Sequence, residues 1–336
     1  MKILITGAAG FIGAACVRAL LQEGHVVVGI DNLNSYYDTG LKYARLGNVG
    51  IAQSAIRDGV MVGSSTEEHY RFMKMDITDR IGLQALFGNE GFDVVINMAG
   101  QAGVRYSIEN PFAYVESNVV GFLNVLEACR HNPVRHLVYA SSSSVYGMGE
   151  RVPYSETDRT DRPVSLYAAT KKSDELMAYS YSHLYGIPAT ALRFFTVYGP
   201  WGRPDMAPFI FLRSVLEGQL IRIFNHGNME RDFTYIDDIV KGVSGLLEHP
   251  ADAAVPHAIY NIGHAAPVSL MDFIHTIEKV TGLAARMRME AMQPGDVYRT
   301  FADTSRIQQE CGYRASVSIE EGIERFYRWY MDYCNK

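Results

Sequence analysis

A tyrosine and a lysine stand four residues apart at Tyr167 and Lys171, in the stretch Tyr-Ala-Ala-Thr-Lys. On an α-helix this spacing places both side chains on one face, so the ammonium of the lysine would lie close to the phenol. A neighbouring positive charge favours the phenolate and lowers a tyrosine pKa from its ordinary value of about 10. Such a tyrosine can take a proton from a hydroxyl group near neutral pH. Because the pattern is also common on helix surfaces, the hypothesis depends on the elements that would position the pair.

A glycine-rich loop follows the first apolar segment, Lys2–Thr6, which predicts a buried β-strand. The loop, Gly7–Gly13, leads into a helical pattern that runs to about Gln22. Glycines there allow a tight turn and close approach of the backbone to a pyrophosphate, whose charge is favoured at the N-terminus of a helix. We therefore predict a dinucleotide site, to which the loop would contribute Gly7, Gly10, Phe11, Ile12 and Gly13.

A second apolar segment, His25–Ile30, ends at Asp31, eighteen residues after Gly13. An acidic residue about 20 residues after the loop takes the adenosine ribose hydroxyls in many dinucleotide sites, and it would repel a 2′-phosphate. No arginine or lysine lies between Asp31 and Lys42, so the sequence favours NAD over NADP. The other interpretation of Asp31 is a turn aspartate at the end of a strand.

Strand and helix patterns alternate through the first half of the chain, which indicates a parallel, doubly wound sheet. Two further predicted strands are Tyr70–Met75 and Asp93–Asn97. Parallel strands end at one edge of the sheet, where open α/β folds bind their ligands. The residues that follow the strands there are further candidates for the cofactor site, namely Asn32, Asp76, Ile77, Met98, Ala99 and Gly100.

A run of four serines, Ser141–Ser144, follows the predicted strand His136–Ala140 and so reaches the same edge. A serine run is more often a solvated loop. Here it lies between a buried strand and the apolar Val145–Gly147, so we predict that it forms hydrogen bonds to a ligand.

The composition is that of an ordinary globular protein, with 336 residues, 48% hydrophobic and 20% charged. A net charge of −6 disfavours nucleic acid as a partner. The four cysteines show neither a C-x-x-C pair nor metal-ligand spacing, so we predict reduced thiols, no metal and a cytoplasmic location. No apolar run approaches membrane length, and the first strand begins too early for a signal peptide, so we expect neither a membrane partner nor a targeting segment.

Together, the glycine loop, Asp31, the serine run and the Tyr167–Lys171 pair resemble the extended short-chain dehydrogenase/reductase family over essentially the whole chain. Within that family the likeness is greatest to nucleotide-sugar epimerases, in particular to UDP-glucuronate 4-epimerases. The segments that carry this likeness are Gln101–Ser107, Pro163–Lys172 and Arg193–Ala207.

The resemblance implies roles for individual residues. Tyr167 would be the base, Lys171 its electrostatic partner and a contact of the nicotinamide ribose, and Ser142 a hydrogen-bond partner of the sugar 4′-oxygen. The resemblance also assigns contacts with the nucleotide sugar to Arg105, Ser143, Ser144, Arg231, Asp296 and Arg299.

Thr196 and Arg203 distinguish this chain from UDP-galactose 4-epimerases, which commonly have asparagine at the first position and lack the Pro-Trp-Gly-Arg sequence that ends at the second. A hydroxyl and a guanidinium suit a carboxylate, through charge-assisted hydrogen bonds. We therefore predict that both read the carboxylate of the sugar. The other interpretation of Arg203 is a surface arginine after a turn.

The resemblance thus implies an isomerase that uses NAD to epimerise UDP-glucuronate to UDP-galacturonate through a transient 4-keto intermediate. The alternatives are a UDP-glucose/UDP-galactose 4-epimerase, a UDP-glucuronate decarboxylase or dehydratase, and a non-catalytic NAD-sensing protein. Ser143 and Ser144 disfavour the second alternative, because decarboxylases and dehydratases commonly have an acid after the serine or threonine that matches Ser142. The intact set of Ser142, Tyr167 and Lys171 disfavours a pure sensor.

Glycine and proline become denser beyond Thr196, which predicts a smaller second lobe. We predict an NAD-binding domain of residues 1–195, to which about 232–262 return, and a nucleotide-sugar-binding lobe of residues 196–231 and 263–336. In the second half, Asp237 and Asp238 are expected to cap a helix that ends near Leu247.

Three helical patterns complete the interpretation. A C-terminal amphipathic helix is expected from Ser318 to Tyr333, with Phe326, Trp329 and Tyr330 in packing roles. The patterns at Pro111–Arg130 and Tyr167–Tyr185 resemble the helix pair that forms a four-helix bundle in dimers of the family, which implies a homodimer.

Overall fold

The computed structural model describes residues 1–149, 151–292 and 297–335. The chain folds into two compact units, each built from three separate stretches. The first unit contains Met1–Gly147, Arg159–Arg193 and Val240–Tyr260. The second unit contains Met148–Asp158, Phe194–Ile239 and Asn261–Lys336.

Strands and helices alternate along most of the chain. The strands are β1 (Lys2–Thr6), β2 (Val26–Asp31), β3 (Met61–Gly63), β4 (Tyr70–Lys74), β5 (Val94–Asn97), β6 (His136–Ser142), β7 (Ala189–Phe194), β8 (Thr196–Tyr198), β9 (Leu220–Ile223), β10 (Glu230–Tyr235), β11 (His257–Ile262), β12 (Pro267–Ser269) and β13 (Arg286–Met289). The α-helices are α1 (Phe11–Gln22), α2 (Thr39–Gly47), α3 (Arg80–Glu90), α4 (Tyr106–Glu109), α5 (Pro111–Tyr114), α6 (Gly121–His131), α7 (Leu166–Tyr185), α8 (Ala207–Leu216), α9 (Ile236–Leu246), α10 (Leu270–Thr281), α11 (Ser305–Cys311) and α12 (Ile319–Cys334).

The main sheet has eight strands in the order β11-β7-β6-β5-β1-β2-β4-β3. The strands β1, β2, β4, β5 and β6 pair in parallel, and β3 pairs antiparallel with β4. The chain therefore winds outward from β1 in one direction and then in the other, which confirms the doubly wound sheet. In such sheets the crevice beside the central strand, at the carboxyl ends, is where dinucleotides bind.

The strands of the sheet centre are buried on both faces. In β1, for example, Ile3, Leu4 and Ile5 have no exposed surface. This explains why the central strands are continuous apolar runs in the sequence rather than alternating patterns. A cluster around Leu4, Phe122 and Leu126 packs α6 against the sheet.

The first unit contains one strand and one helix interruption that the sequence pattern does not show. The strand is β3, between β2 and β4, whose three residues are too few for a periodic pattern. The helical pattern at Pro111–Arg130 is interrupted by a π-helical segment, Val115–Val120, which joins α5 to α6. The strand β11 lies at the edge of the main sheet, beside β7.

The second unit contains a three-stranded sheet, β12-β10-β8, and a two-stranded sheet, β13-β9. The C-terminal helix α12 is confirmed, and the side chain of Ser318 caps it by accepting a hydrogen bond from the Glu321 N–H at 3.2 Å. Its aromatic residues pack as expected, since Phe326 is buried and its ring stacks on Trp329.

Asp237 and Asp238 both lie in the first turn of α9, where the helix dipole favours negative charge, and their capping of backbone N–H groups stays a prediction. The buried carboxylate of Asp238 accepts hydrogen bonds from the backbone N–H groups of Ser316 and Val317, both at 3.0 Å. Asp238 therefore fixes the segment that leads into α12.

Within the three described stretches of the chain, every helix is too short or too polar to cross a membrane.

Candidate active site

The glycine loop turns sharply between β1 and α1. Gly7 has a φ of +69°, and a β-carbon there would lie 2.8 Å from the backbone nitrogen of Ala99. A β-carbon at Gly13 would collide with the carbonyl oxygen of Gly7. No side chain caps the first turn of α1 at Gly10, and this turn contains no acidic residue. A loop of glycines and alanines that ends at an uncapped helix N-terminus fits the pyrophosphate of a dinucleotide.

Asp31 connects the end of β2 to the glycine loop. Its Oδ2 accepts a hydrogen bond from the Ala9 N–H at 3.1 Å, and its Oδ1 accepts one from the Leu33 N–H at 2.8 Å. The second bond is an Asx-type turn, so Asp31 has the turn geometry of the alternative interpretation. Its role toward an adenosine ribose stays a prediction.

Two cations near Asp31 were not predicted as its neighbours from the sequence. Lys42 Nζ lies 3.7 Å from Asp31 Oδ1, and Arg45 donates a hydrogen bond to the Ala9 carbonyl oxygen at 2.8 Å. Both side chains are buried. Their spacing of three residues on α2 indicates that they share one face of this helix.

The ends of β2 and β4 meet through their predicted cofactor residues. Asn32 donates a hydrogen bond from its side-chain amide to Asp76 Oδ2 at 2.7 Å. Partial burial raises the pKa of Asp76, but the hydrogen bonds from Asn32 and Thr78 outweigh it and bring the pKa below its ordinary value. Asp76 is therefore an ionised carboxylate at neutral pH. The neighbouring Ile77 is buried.

The residues after β5 pack against the glycine loop. The Ala99 N–H donates to Thr6 Oγ1 at 3.1 Å, next to Met98. Gly100 lies between two side chains, since a β-carbon there would be 2.9 Å from Asn118 Oδ1 and 3.4 Å from Lys171 Nζ. The strand end predicted to contact the cofactor thus approaches the lysine of the predicted catalytic pair.

Asn118 lies in the π-helical segment and was not predicted. Its Oδ1 accepts from the Gln101 N–H at 2.7 Å, and its Nδ2 donates to the Gln101 carbonyl at 3.0 Å and to Thr170 Oγ1 at 2.9 Å. A fully buried amide with these partners fixes the loop after Gly100 to the start of α7. Its position could not be predicted from the apolar pattern, because the π turn changes which face of the helix the residue occupies.

Tyr167 and Lys171 lie in the first two turns of α7, which Ser165 caps by accepting from the Ala168 N–H at 3.1 Å. The ring of Tyr167 is half-buried and meets the ring of Tyr114 edge to face, with the centroids 6.0 Å apart. Lys171 is buried, and its Nζ donates a hydrogen bond to the Ala140 carbonyl oxygen at 2.9 Å. The lysine thus joins α7 to the end of β6.

Ser142 ends β6, one residue after Ser141. The hydroxyl of Ser142 donates to Ser144 Oγ at 3.1 Å and accepts from the Ser144 N–H at 3.2 Å, while Ser143 opens a short 3₁₀ turn. Ser141 instead donates to Glu175 Oε1 on α7 at 2.7 Å. Lys171 and Ser142 therefore both lie at the carboxyl end of β6, and their catalytic roles stay predictions.

A buried ion pair between β7 and α7 supports this arrangement. Arg193 donates from Nε and Nη2 to the two carboxylate oxygens of Glu175, both at 2.8 Å, and from Nη1 to the Tyr146 hydroxyl at 2.9 Å. Burial raises the pKa of Glu175, but the hydrogen bonds and charge of Arg193 outweigh it and lower the pKa below its ordinary value. The carboxylate that positions Ser141 is therefore ionised.

The remaining candidate in the first unit, Arg105, is an exposed residue just before α4. Its predicted contact with the nucleotide sugar stays a prediction.

In the second unit, Thr196 begins β8 and is partly exposed. Arg203 is not a fully solvated surface arginine, since its side chain is 18% exposed and forms two hydrogen bonds with Asp205. These bonds join Nε to Oδ1 at 3.1 Å and Nη2 to Oδ2 at 2.5 Å. Asp205 was not predicted as a partner of this guanidinium.

Arg231 and Arg299 lie together around Glu230. Arg231 donates to the carbonyl oxygens of Glu230 at 2.8 Å and Tyr298 at 3.2 Å, and Arg299 pairs with the Glu230 carboxylate at 2.5 Å. Two guanidiniums and one carboxylate leave net positive charge at this place, as a diphosphate requires. Asp296 lies outside the described residues.

The first unit thus has the doubly wound fold in which dinucleotides bind at the carboxyl ends of the strands. Residues 3–263 match the sequence profile of the NAD dependent epimerase/dehydratase family, and the chain belongs to this family.

Individual relatives are similar over nearly the whole chain. The Probable UDP-glucuronate 4-epimerase of Rhizobium meliloti is 44% identical, over 98% of this chain and 97% of its own length. UDP-glucuronate 4-epimerase 3 of Arabidopsis thaliana is 45% identical, over 99% of this chain and 77% of its own. The crystal structure of UDP-glucuronic acid 4-epimerase from Bacillus cereus, in complex with UDP-glucuronic acid and NAD, matches with a TM-score of 0.87 at 33% identity, covering 99% and 100% of the two chains.

Proposed function

We propose that this protein is an NAD-dependent isomerase that interconverts UDP-glucuronate and UDP-galacturonate at C4′. The observation that carries the proposal is the arrangement at the start of α7, where Tyr167 lies one turn before the buried Lys171, whose ammonium reaches the strand that ends in Ser142. The identities of 44% and 45% to named UDP-glucuronate 4-epimerases support the choice of substrate.

In this proposal Tyr167 accepts the proton of the 4′-hydroxyl, and Ser142 holds the 4′-oxygen by a hydrogen bond. The charge of Lys171 stabilises the phenolate that the reaction needs. The bound NAD would supply the acceptor for the C4′ hydride, which the 4-keto sugar would regain on its opposite face. Tyr167 then gives its proton back to the 4′-oxygen, so neither cofactor nor protons are consumed over one cycle.

The residues proposed to hold NAD are those that surround the ends of β1, β2, β4 and β5 in the first unit. The glycine loop would accept the pyrophosphate, and Asp31 the adenosine ribose. We further propose that the second unit holds the uridine diphosphate sugar, with Arg231 and Arg299 near the diphosphate.

The transient ketone at C4′ makes the C5′ carboxylate a β-keto acid, which loses carbon dioxide when the bond to the carboxylate aligns with the carbonyl π system. We propose that Thr196 and Arg203 hold the carboxylate out of that alignment. Ser143 and Ser144 support retention of the carboxylate, since they stand where decarboxylases commonly have an acid.

We also propose that the protein acts as a homodimer in the cytoplasm. Exposed apolar side chains on the π-helical segment, α6 and α7 support the dimer, namely Val120, Leu123, Leu176 and Tyr179. Free and buried thiols at Cys16 and Cys129 are consistent with a reducing compartment.

The substitution Tyr167→Phe tests the proposed base. Loss of the hydroxyl removes the proton acceptor, and we expect the rate of UDP-galacturonate formation to fall by about 100-fold or more. The matched control is Tyr185→Phe on the same helix, which should keep wild-type activity. Product can be followed by anion-exchange chromatography of the nucleotide sugars. Unchanged turnover by Tyr167→Phe would remove the proposed base.

A further inference from the structure

Asp174 lies one helical turn after Lys171 on α7, and its side chain is 2% exposed. Its Oδ2 accepts a hydrogen bond from Lys171 Nζ at 3.1 Å. Its Oδ1 is buried and, within the described stretches, has no hydrogen-bond partner. An unpartnered carboxylate oxygen in the interior is costly, because its charge is neither solvated nor fully compensated.

The neighbouring carboxylate of Glu175 has hydrogen-bond donors that Asp174 lacks. Glu175 receives hydrogen bonds from Ser141, Lys172 and Arg193, so its charge has two cations. For Asp174 the cation within ion-pair distance, among the described residues, is Lys171. The ammonium that is proposed to act on Tyr167 is thus also the counter-ion of Asp174.

The charged and titratable groups around Asp174 come from three elements. On α7 itself they are Lys171 and Glu175, on β6 the buried Tyr139, and on β7 the Arg193 that is paired with Glu175. Burial raises the pKa of Asp174 to about 7, Lys171 opposes this rise, and the negative charge of Glu175 adds to it. Asp174 therefore gains and loses a proton within the range in which most enzymes are assayed.

We propose that Asp174 is a positioning residue that controls, by its own protonation, how much of the Lys171 charge acts on Tyr167. Ionised Asp174 neutralises the ammonium and draws it along α7, away from the phenol. Protonated Asp174 leaves the positive charge uncompensated, and the phenolate of Tyr167 is then better stabilised. This inference rests on the proposed function of Tyr167 and Lys171.

The substitution Asp174→Asn mimics the protonated acid at every pH, with nearly the same shape. At saturating NAD and UDP-glucuronate, we expect the ratio of its turnover rate to that of the wild type to be near one at pH 6. The ratio should rise about fivefold by pH 8.5, where the wild type carries the ionised carboxylate. Titrations elsewhere in the protein are common to both, so the ratio isolates Asp174 and its effect on Tyr167.

The control is Glu248→Gln, which removes one carboxylate at the protein surface, where Glu248 pairs with Arg135 at 3.4 Å. Its ratio to the wild type should stay near one at all pH values. A ratio for Asp174→Asn that does not change with pH would overturn the proposal, whether the ratio is one or lower. A uniform loss would mean that Asp174 only supports the fold.

A second measurement tests the protonation of Asp174 through protein stability, without measuring enzyme activity. The pKa of Asp174 lies above its ordinary value in the folded protein, so between about pH 4 and 7 the folded state binds more protons than the unfolded state. The free energy of unfolding of the wild type therefore falls as the pH rises through this range. Asp174→Asn has no carboxylate at this position, so its free energy of unfolding does not show this fall. We expect the difference in urea midpoint, variant minus wild type, to grow up to about pH 7 and then to level off.

A constant difference in urea midpoint would overturn the proposal, and so would failure of both Asp174→Asn and Asp174→Ala to fold. In the second case the fold would require the ionised carboxylate. If the wild type does not epimerise UDP-glucuronate, the proposed function fails on its own, while the urea series still decides whether Asp174 titrates as inferred.

Discussion

Arg203 is the residue whose surroundings bear most directly on substrate choice. Its guanidinium is held by Asp205 in a two-point ion pair, at low exposure. A guanidinium has five donors in a fixed plane, so it can bind a second carboxylate while it keeps the first. In the proposed enzyme Asp205 therefore orients the plane that meets the sugar carboxylate.

The substitution Arg203→Lys tests this at the residue scale. Lysine keeps the charge but loses the planar fork, so we expect the affinity for UDP-glucuronate to fall by about 10- to 100-fold. Affinity for UDP-glucose, which lacks the carboxylate, should be unchanged. Titration calorimetry with both nucleotide sugars measures this, and Arg222→Lys, an exposed arginine paired with Glu290, is the control. An equal loss for both sugars would remove Arg203 as a reader of the carboxylate.

Residues whose position follows from local order could be predicted from the sequence. The series of strand, glycine loop, helix and Asp31 was predictable because each step is determined by neighbours along the chain. Lys42 could not be assigned to Asp31, since their distance depends on how an irregular loop folds back. Asp174 is three residues from Lys171, so helix geometry predicts that the two side chains are neighbours. The burial of Asp174 and the missing hydrogen-bond partner of its Oδ1 depend on the tertiary structure and could not be predicted.

At the scale of elements, the helix that runs from α5 to α6 shows where periodicity fails as a guide. Its apolar pattern predicts one continuous helix, whereas the structure contains a π-helical segment at Val115–Val120. The wider turn presents Asn118 to Gln101 and Thr170, where the amide forms three hydrogen bonds. π segments often occur at functional sites, and this one fixes the loop that borders Lys171.

The proposed dimer can be tested on α7. Leu176 is 59% exposed on this helix, and a glutamate there would place a charge within an apolar interface. We expect Leu176→Glu to convert the dimer to a monomer, as measured by size-exclusion chromatography with light scattering. The matched control is Ile81→Glu on α3, a leucine-sized residue that is 84% exposed. A wild-type monomer, or a Leu176→Glu dimer as stable as the wild type, would contradict this proposal.

At the scale of the whole molecule, the net charge of −6 means that an anionic substrate must meet local positive charge. The second unit provides it where Arg231 and Arg299 gather around Glu230. The doubly wound sheet of the first unit, in turn, brings four strand ends that are far apart in the sequence to one edge. The sequence predicted this sheet because strand and helix patterns alternate through the first half of the chain.

The central claim is that the protein inverts C4′ of UDP-glucuronate and keeps the carboxylate. A proton NMR time course of the purified protein with UDP-glucuronate, first without and then with added NAD, tests this most directly. We predict that the anomeric signal of UDP-galacturonate appears until the two sugars reach equilibrium, with no UDP-pentose and no carbon dioxide. Formation of UDP-pentose and carbon dioxide, or turnover of UDP-glucose alone, would contradict the claim.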